Sequence, residues 1–440
     1  MSPSTPYRFE LFASTALGLE SIAAGELKTL GVRGRQEIGG VAFGGDLDRI
    51  YRANLWLRTA SRVVARLGRF HAGTFYELER RSKKLPWADF LPDAGSVEVR
   101  VTCRKSKLYH SDAVAERVLS AIARTARSGI ELRVADGHHQ EGHEEEVDES
   151  GSESDGDKRA ARESSSSLTK AGGSTQLFVV RIVHDECEIS ADTSGELLHR
   201  RGYRTEIAKA PLRETLAAAM VLASGWRPND PLIDPMCGSG TIPVEAALIA
   251  RGIAPGANRR FQFMNWPNFN PELWKEIVDK ARSVVNNAPL GIRGSDRDAG
   301  AVSSATRNAE RAGVAADIRF AVNSLSGSIS DLEDVTAGEG WILTNPPYGI
   351  RIGERGDLRD LYATLGAALR KGFRWRIGIL TSDKALVGQM RLPLRSRFDS
   401  RNGGIAVSFL VSDRAKAAEA LTTGHVAQRR EKGRRRVSAD

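Results

Sequence analysis

From about Pro211 onward the chain alternates short apolar runs with helical stretches, and this alternation restricts its fold more than any other feature. Leu232–Asp234, Ile292–Asp296, Ile318–Val322, Trp341–Thr344, Arg376–Thr381 and residues 405–411 read as strands. Thr241–Arg251 and residues 300–312 and 358–371 read as helices. Strand alternating with helix predicts an α/β unit built on a doubly wound, mostly parallel sheet. Such a sheet binds ligands beyond the carboxyl ends of its strands, where the strand order switches.

Three motifs fall at those ends. The first is Asp234-Pro235-Met236-Cys237-Gly238-Ser239-Gly240-Thr241, after one strand and opening a helix. Gly238 and Gly240 allow a sharp turn and close approach of a ligand, and the helix start offers free N–H donors to an anionic group. Asp234 can hold an amino or cationic group. Taken alone such a loop is weak evidence, and a plain structural turn is the alternative. The second is Gly294-Ser295-Asp296-Arg297-Asp298. A carboxylate there suits a pair of ribose hydroxyls, although either Asp can simply cap the next helix. The third is Asn345-Pro346-Pro347-Tyr348-Gly349. Two prolines fix a rigid turn that aims the Asn345 oxygen and the Pro346 carbonyl outward, two acceptors suited to the hydrogens of an exocyclic NH₂. Tyr348 offers a face for base stacking.

The first half reads differently. Strands are expected near residues 7–12, 40–43, 63–70, 96–103, 176–182 and 188–191, with helices over 17–30 and 113–126 and another capped by Asp46. The strands at 176–182 and 188–191 are expected to pair with 96–103. At roughly 150 residues per domain, 440 residues suggest about three domains. Two small α+β units fit the N-terminal half. Residues 136–174 contain almost no large apolar side chains and read as a disordered insertion. His138, His139 and His143 lie there among acidic neighbours without fixed geometry, so no metal is expected. Deleting the insertion is expected to leave the melting temperature within a few degrees; a large drop in a thermal melt would show that it packs on the body.

The insertion also hides the charge of the rest. Residues 136–157 carry ten Asp or Glu and no Lys or Arg. Without them, 64 basic residues face 45 acidic ones, a balance of +19. That points to a polyanionic partner, nucleic acid first. The tail from Gln428, with Arg429, Arg430, Lys432 and Arg434–Arg436, is either a phosphate-binding arm or a frayed end. No run of about 18 apolar residues occurs and no secretory leader is evident. Three cysteines, Cys103, Cys187 and Cys237, argue for a reducing cytoplasm and against a disulfide framework.

DPMCGSGT together with TNPPYG resembles the class I S-adenosylmethionine-dependent methyltransferases that modify exocyclic amines of nucleobases. The stretch Asp192-Thr193-Ser194-Gly195, Leu198-His199-Arg200-Arg201-Gly202-Tyr203-Arg204 and Ala210–Ala219 is similar to the linker of THUMP-domain RNA methyltransferases of the guanine-N2, RlmL and TrmN type. Gly18-Leu19-Glu20, Glu26-Leu27 and Leu30-Gly31 resemble their opening helix.

The resemblance implies a ferredoxin-like domain over 1–70, a THUMP RNA-binding domain over 71–195, a Rossmann-like methyltransferase domain over 196–425 and a basic tail over 426–440. It places Asp234, Cys237, Gly238, Gly240, Thr241, Asp296, Asn323 and Asn345 on the cofactor, S-adenosylmethionine. It places Asn345, Pro346, Pro347 and Tyr348 on the target base. Asn323 stands where the family usually has Asp near the adenine amine; Asn can still accept from it. Cys237 reads as a small packing residue, since direct transfer needs no nucleophile. The implied activity is methylation of the N2 amine of a guanosine in structured RNA, with 23S ribosomal RNA first and tRNA as the alternative. A catalytically silent RNA-binding assembly factor and a DNA adenine methyltransferase are further alternatives. The expected protein is cytoplasmic, monomeric and free of membrane. Arg100, Arg104, Lys105 and Lys107 are candidates for RNA backbone contacts, or merely solvated charges.

Overall fold

A computed structural model of the chain describes residues 8–135, 174–204, 212–287, 289–328, 340–347, 355–370 and 375–412. The acidic insertion, its histidines, the basic tail and Tyr348 therefore lie outside the described residues, apart from Ser174 at the insertion's end.

The N-terminal half is one sheet with helices against it. Its strands are β1 (Phe9–Thr15), β2 (Arg35–Glu37), β3 (Gly40–Gly45), β4 (Ala60–His71), β5 (Gly95–Arg104), β6 (Glu131–Val134), β7 (Ser174–Val183) and β8 (Glu186–Asp192), in the spatial order β2-β3-β1-β4-β8-β7-β5-β6. Alternation sets their faces: Val97 and Val99 of β5 point into the core, as do Leu11 and Ala13 of β1. The helices are α1 (Glu20–Thr29), α2 (Leu47–Trp56), α3 (Phe75–Ser82) and α4 (Ser111–Ala123). Asp46 caps α2 by accepting from the Arg49 N–H, as expected. α3 was not anticipated. Thr74 caps it while Glu77 reaches back to the Gly73 N–H at 2.9 Å, a reciprocal pair of caps.

One pairing differs from expectation. β7 lies beside β5 in parallel, but β8 does not touch β5. His184 and Asp185 form a tight turn with φ of 52° and 62°, which folds β8 back on β7 as a hairpin. The outer edge of β8 then pairs with β4, from Val64↔Asp192 to His71↔Glu186. A single sheet therefore crosses residue 70, joining the two units read from the sequence.

The second sheet contains β9 (Leu232–Asp234), β10 (Ile292–Asp296), β11 (Ile318–Val322), β12 (Trp341–Thr344), β13 (Arg376–Thr381), β14 (Leu394–Asn402) and β15 (Ile405–Ser412). Its order is β11-β10-β9-β12-β13-β15-β14. The five strands from β9 to β13 run parallel and β14 and β15 are antiparallel additions. The helices of this part of the chain are α5 (Glu214–Ser224), α6 (Thr241–Arg251), α7 (Pro271–Ser283), α8 (Ala299–Arg311), α9 (Arg355–Arg370) and α10 (Lys384–Gly388). From β9 the chain proceeds outward to β10 and β11, then returns to β12 on the other side of β9. The switch in strand order lies between β9 and β12.

The two halves exchange segments. Phe261, Phe263, Trp266 and Ile277 come from the stretch between α6 and β10, yet they are buried in the core of the first sheet. Tyr51 stacks on Phe263 with centroids 4.5 Å apart, and Trp266 donates to the buried Gln176 Oε1 at 2.8 Å. In return Leu19, just before α1, is buried in the core of the second sheet. Between them runs a buried polar chain. Arg201 Nε donates to Glu245 Oε1 on α6 at 3.0 Å, and Tyr203 Oη donates to the same oxygen at 3.0 Å. Arg201 also donates to the Arg58 carbonyl at 2.6 Å, and Arg58 donates to the Ile253 carbonyl at 2.7 Å. The cores and this chain mount the second sheet firmly on the first.

Among the described residues no helix is long and apolar enough to cross a membrane.

Candidate active site

The site begins with register. Asp234 ends β9 opposite Gly294 of β10, and Ile342 of β12 lies opposite Ile233. The carboxyl ends of the three strands are thus nearly level, on both sides of the switch point. Asp234 is 1% exposed, and its Oδ1 accepts from the Thr344 hydroxyl at 2.8 Å and the Met236 N–H at 3.2 Å. Thr344 is fully buried at the last position of β12, directly before Asn345. The glycine loop and the Asn-Pro-Pro turn are therefore joined through one hydrogen bond.

The glycine loop itself needs its glycines. Gly240 has φ of +79°, and a Cβ there would lie 2.8 Å from the Ala305 Cβ on α8. Both conformation and space exclude a side chain. Gly238 has φ of +51° and no atom within 4 Å of a built Cβ, so its open side is free for a ligand. No side chain caps α6 at Gly240, so among the described residues the first N–H groups of the helix, at the buried Thr241 and at Ile242, have no capping side chain. Asn308 of α8, fully buried, braces the loop by donating to the Ser239 carbonyl at 2.9 Å.

Asp296 gathers the pieces. Its Oδ2 accepts from the Gly238 N–H at 2.9 Å, and its Oδ1 from the Asp298 N–H at 3.0 Å. Its carbonyl accepts from the Asn323 N–H at 2.9 Å, which brings the residue after β11 to the same place. Asp298 caps α8 through the Gly300 N–H, so the second motif divides its acids between site and cap. Cys237 donates its N–H to the Ser295 carbonyl at 2.9 Å and buries its side chain. Burial first, and the Asp234 and Asp296 charges next, raise its thiol pKa well above the ordinary range, which keeps it a packing thiol and not a nucleophile.

Across the switch point, Asn345 is half-buried, Pro346 buried and Pro347 exposed. The Asn345 Oδ1 is buried and has no hydrogen-bond partner among the described residues. A buried acceptor left unpaired costs about 1–3 kcal/mol. Such an atom at a strand end is fitted for a donor that arrives with a ligand. Tyr348, expected beside it, lies outside the described residues. The structure thus brings together Asp234, Cys237, Gly238, Gly240, Asp296 and Asn323, with Asn345 linked through Thr344. The sequence reading passed over Thr344 and Asn308. Thr344 read only as the end of a strand, and Asn308 only as one helix residue among many.

Burial first, with the Asp296 charge adding to it, pushes the Asp234 carboxyl from its ordinary 3.8 up to about 7, against the Thr344 and Met236 hydrogen bonds. A carboxyl whose folded pKa is raised holds its proton more tightly when folded. Its contribution to stability is therefore greatest below about pH 4, declines as pH rises toward 7, and is constant above. Asp234→Asn is expected to melt higher than the wild-type protein at pH 8, with the difference vanishing near pH 4. Melting curves across this range check it; equal melting at pH 8 would mean that Asp234 is hydrated and unshifted.

Comparison with known proteins agrees with this architecture. Residues 201–407 match the family model of the RMKL-like methyltransferase domain, and residues 10–64 match that of the RlmL ferredoxin-like domain. A Synechocystis protein provisionally named an RNA methyltransferase is 34% identical over 406 residues, spanning 91% of this chain and 95% of that one. A ribosomal RNA large subunit methyltransferase K/L of Syntrophotalea carbinolica is 33% identical over 422 residues, 93% of this chain and 54% of the relative. Among solved structures, SMU.472, a provisionally assigned methyltransferase complexed with S-adenosylhomocysteine, superimposes with a TM-score of 0.75 at 28% identity, covering 93% of this chain and 98% of that one.

Proposed function

Because the chain belongs to the RMKL-like methyltransferase family, whose cofactor is S-adenosylmethionine, we propose that it methylates the exocyclic N2 amine of a guanosine in structured RNA, in 23S ribosomal RNA first. The observation that carries this reading is the buried Asn345 Oδ1 beside the switch point, which has no hydrogen-bond partner among the described residues.

The roles follow from position. The open face of Gly238 and the uncapped first turn of α6 at Thr241 receive the amino-acid end of the cofactor, with Asp234 beneath its amino group. Asp296 and Asn323 receive the ribose and adenine. When bound, S-adenosylmethionine supplies an electrophilic methyl group on a sulfonium. Asn345 Oδ1 and the Pro346 carbonyl accept the two hydrogens of the target amine. That keeps its nitrogen lone pair out of ring conjugation and aimed at the methyl group. Pro347 holds the turn rigid, and Tyr348 stacks on the base. The thiol of Cys237 takes no part. No strong base is required, because the proton leaves after the nitrogen has become cationic. Catalysis is then positioning together with preorganised acceptors. The target base must leave its stack to reach Asn345.

The same reading assigns RNA docking to a THUMP unit over residues 71–195, between a ferredoxin-like unit over 1–70 and the methyltransferase unit over 196–425. A 23S ribosomal RNA substrate also fits a cytoplasmic protein. The test is a transfer assay with labelled S-adenosylmethionine, offering undermodified ribosomal RNA and tRNA separately. Label in the ribosomal pool alone is expected. Label in tRNA alone would transfer the activity to that substrate. Label in neither, with no cofactor bound, would leave a silent RNA-binding scaffold.

A further inference from the structure

At the level of the site the second sheet parts along the switch point. β12 stays paired with β13 through its last residue, Thr344 opposite Ile379, and β9 stays paired with β10 through its last residue, Asp234 opposite Gly294. Between β12 and β9 the pairing ends earlier, at Ile342 opposite Ile233. Asn345 and Pro346 therefore stand on the β13 side of a gap, with the glycine loop and Asp296 on the β10 side. A side-chain bond spans the gap where the backbone ladder has stopped. It runs from the Thr344 hydroxyl to the Asp234 Oδ1 at 2.8 Å, and the two residues are 0% and 1% exposed.

Asp234 divides its two oxygens. Oδ1 accepts from both the Thr344 hydroxyl and the Met236 N–H, whereas Oδ2 accepts from none of the described residues. Oδ2 is thus the oxygen left for the amino group of the cofactor, while Oδ1 is tied to the residue directly before Asn345. Thr344 is β-branched and buried in a strand, so its side chain has little rotational freedom and the bond transmits position. Satisfying a buried hydroxyl needs only some acceptor. Here the acceptor is the carboxylate of the cofactor site, and the donor adjoins the acceptor of the target amine.

We propose that Thr344 is a positioning residue for methyl transfer: through Asp234 its hydroxyl sets the distance and angle between the amine held at Asn345 and Pro346 and a cofactor seated on the glycine loop. Transfer needs the reacting atoms about 3–3.5 Å apart and aligned, and a misplacement of about 1 Å costs about 100-fold in rate. The assignment rests on the amine being the methyl acceptor at Asn345.

The test compares full-length variants by single-turnover transfer to RNA, by RNA KM, by equilibrium binding of S-adenosylhomocysteine and by melting temperature. Thr344→Val keeps the shape of the side chain and removes its donor. Its transfer rate is expected to fall about 10- to 100-fold, with RNA KM and S-adenosylhomocysteine affinity within about threefold of wild type. Thr344→Ser keeps the hydroxyl and is expected to recover the rate to within about threefold. Asp234→Asn is expected to show the reverse split. The Thr344 and Met236 donors turn its carbonyl oxygen toward themselves, so its NH₂ meets the cofactor's ammonium. S-adenosylhomocysteine affinity then falls about tenfold or more, while the rate at saturating cofactor falls less than in Thr344→Val. An active wild type matched in rate by Thr344→Val overturns the assignment alone. Rate, cofactor affinity and melting temperature falling together in Thr344→Val, without recovery in Thr344→Ser, overturn it in favour of a structural bond. Should Thr344→Val fail to fold, a loss of rate at saturating cofactor in Thr344→Ser as large as the loss in Asn345→Ala overturns it, because the hydroxyl is still present. A wild type that binds S-adenosylhomocysteine but methylates no RNA overturns the RNA-methylation reading and the assignment together.

Discussion

Asn345→Ala is expected to lower the rate of methyl transfer by about 100- to 1,000-fold, the effect of removing one preorganised hydrogen-bonding group from a reacting centre. Affinity for S-adenosylhomocysteine is expected to stay within about threefold of wild type. The two effects separate because the cofactor positions rest on β9 and β10, through Asp234, Gly238 and Asp296, whereas Asn345 stands past the end of β12. Its Oδ1 has no partner among the described residues, so truncation breaks no described hydrogen bond of that oxygen. Asn345→Asp keeps an acceptor at the same place and should retain more activity than Asn345→Ala. Single-turnover transfer rates and equilibrium binding measure the two effects apart. If affinity and rate fall together, Asn345 serves to hold the fold and not the amine.

Glu245→Ala is expected to have the largest effect on stability. Glu245 and Arg201 are almost wholly buried, with side chains 0% and 2% exposed, at the junction of the two halves. Removing one partner of such a pair leaves the other charge buried without compensation, a loss of about 3–5 kcal/mol. Tyr203 loses its acceptor at the same time. For a half of this size the loss corresponds to a drop of roughly 10 °C in melting temperature, at about 2–4 °C per kcal/mol. Arg201→Met/Glu245→Leu removes both charges and should recover part of it, since paired apolar replacement is far less damaging than a half-broken pair. A drop of less than about 2 °C for Glu245→Ala would show that water enters the junction and solvates Arg201.

The parts of the protein that depend on short-range pattern were readable before the structure. β9 to β13 stand where apolar runs placed them, and Asp298 caps α8 as its position beside Asp296 suggested. What could not be read depends on contacts distant in sequence. Nothing near residues 186–192 shows that β8 will lie between β7 and β4. The stretch from Phe261 to Ile277 carries its aromatic residues into the core of the other half, so its pattern has no partner within its own unit. α5 was read only as part of a motif because it is buried nearly all round and lacks a polar stripe. β14 was missed because it is an edge strand rich in arginine, with Phe398, Ser400 and Asn402 turned inward between exposed residues. Two omissions did have signals. Thr74-x-x-Glu77 before α3 and Asn270-Pro271 before α7 are ordinary helix starts. The Thr344–Asp234 bond had none, because it needs the register of β12 against β9.

The central claim is that acceptors after β12 hold the exocyclic amine of a guanine. The most direct measurement is to digest the RNA methylated by the purified protein and identify the labelled nucleoside by chromatography with mass spectrometry. Both guanine and adenine carry an amine that Asn345 and Pro346 could grip, so the nucleoside separates the two. N2-methylguanosine, absent from the Asn345→Ala reaction, is the predicted result. N6-methyladenosine, or a methyl group on a ring carbon or ribose oxygen, would contradict it.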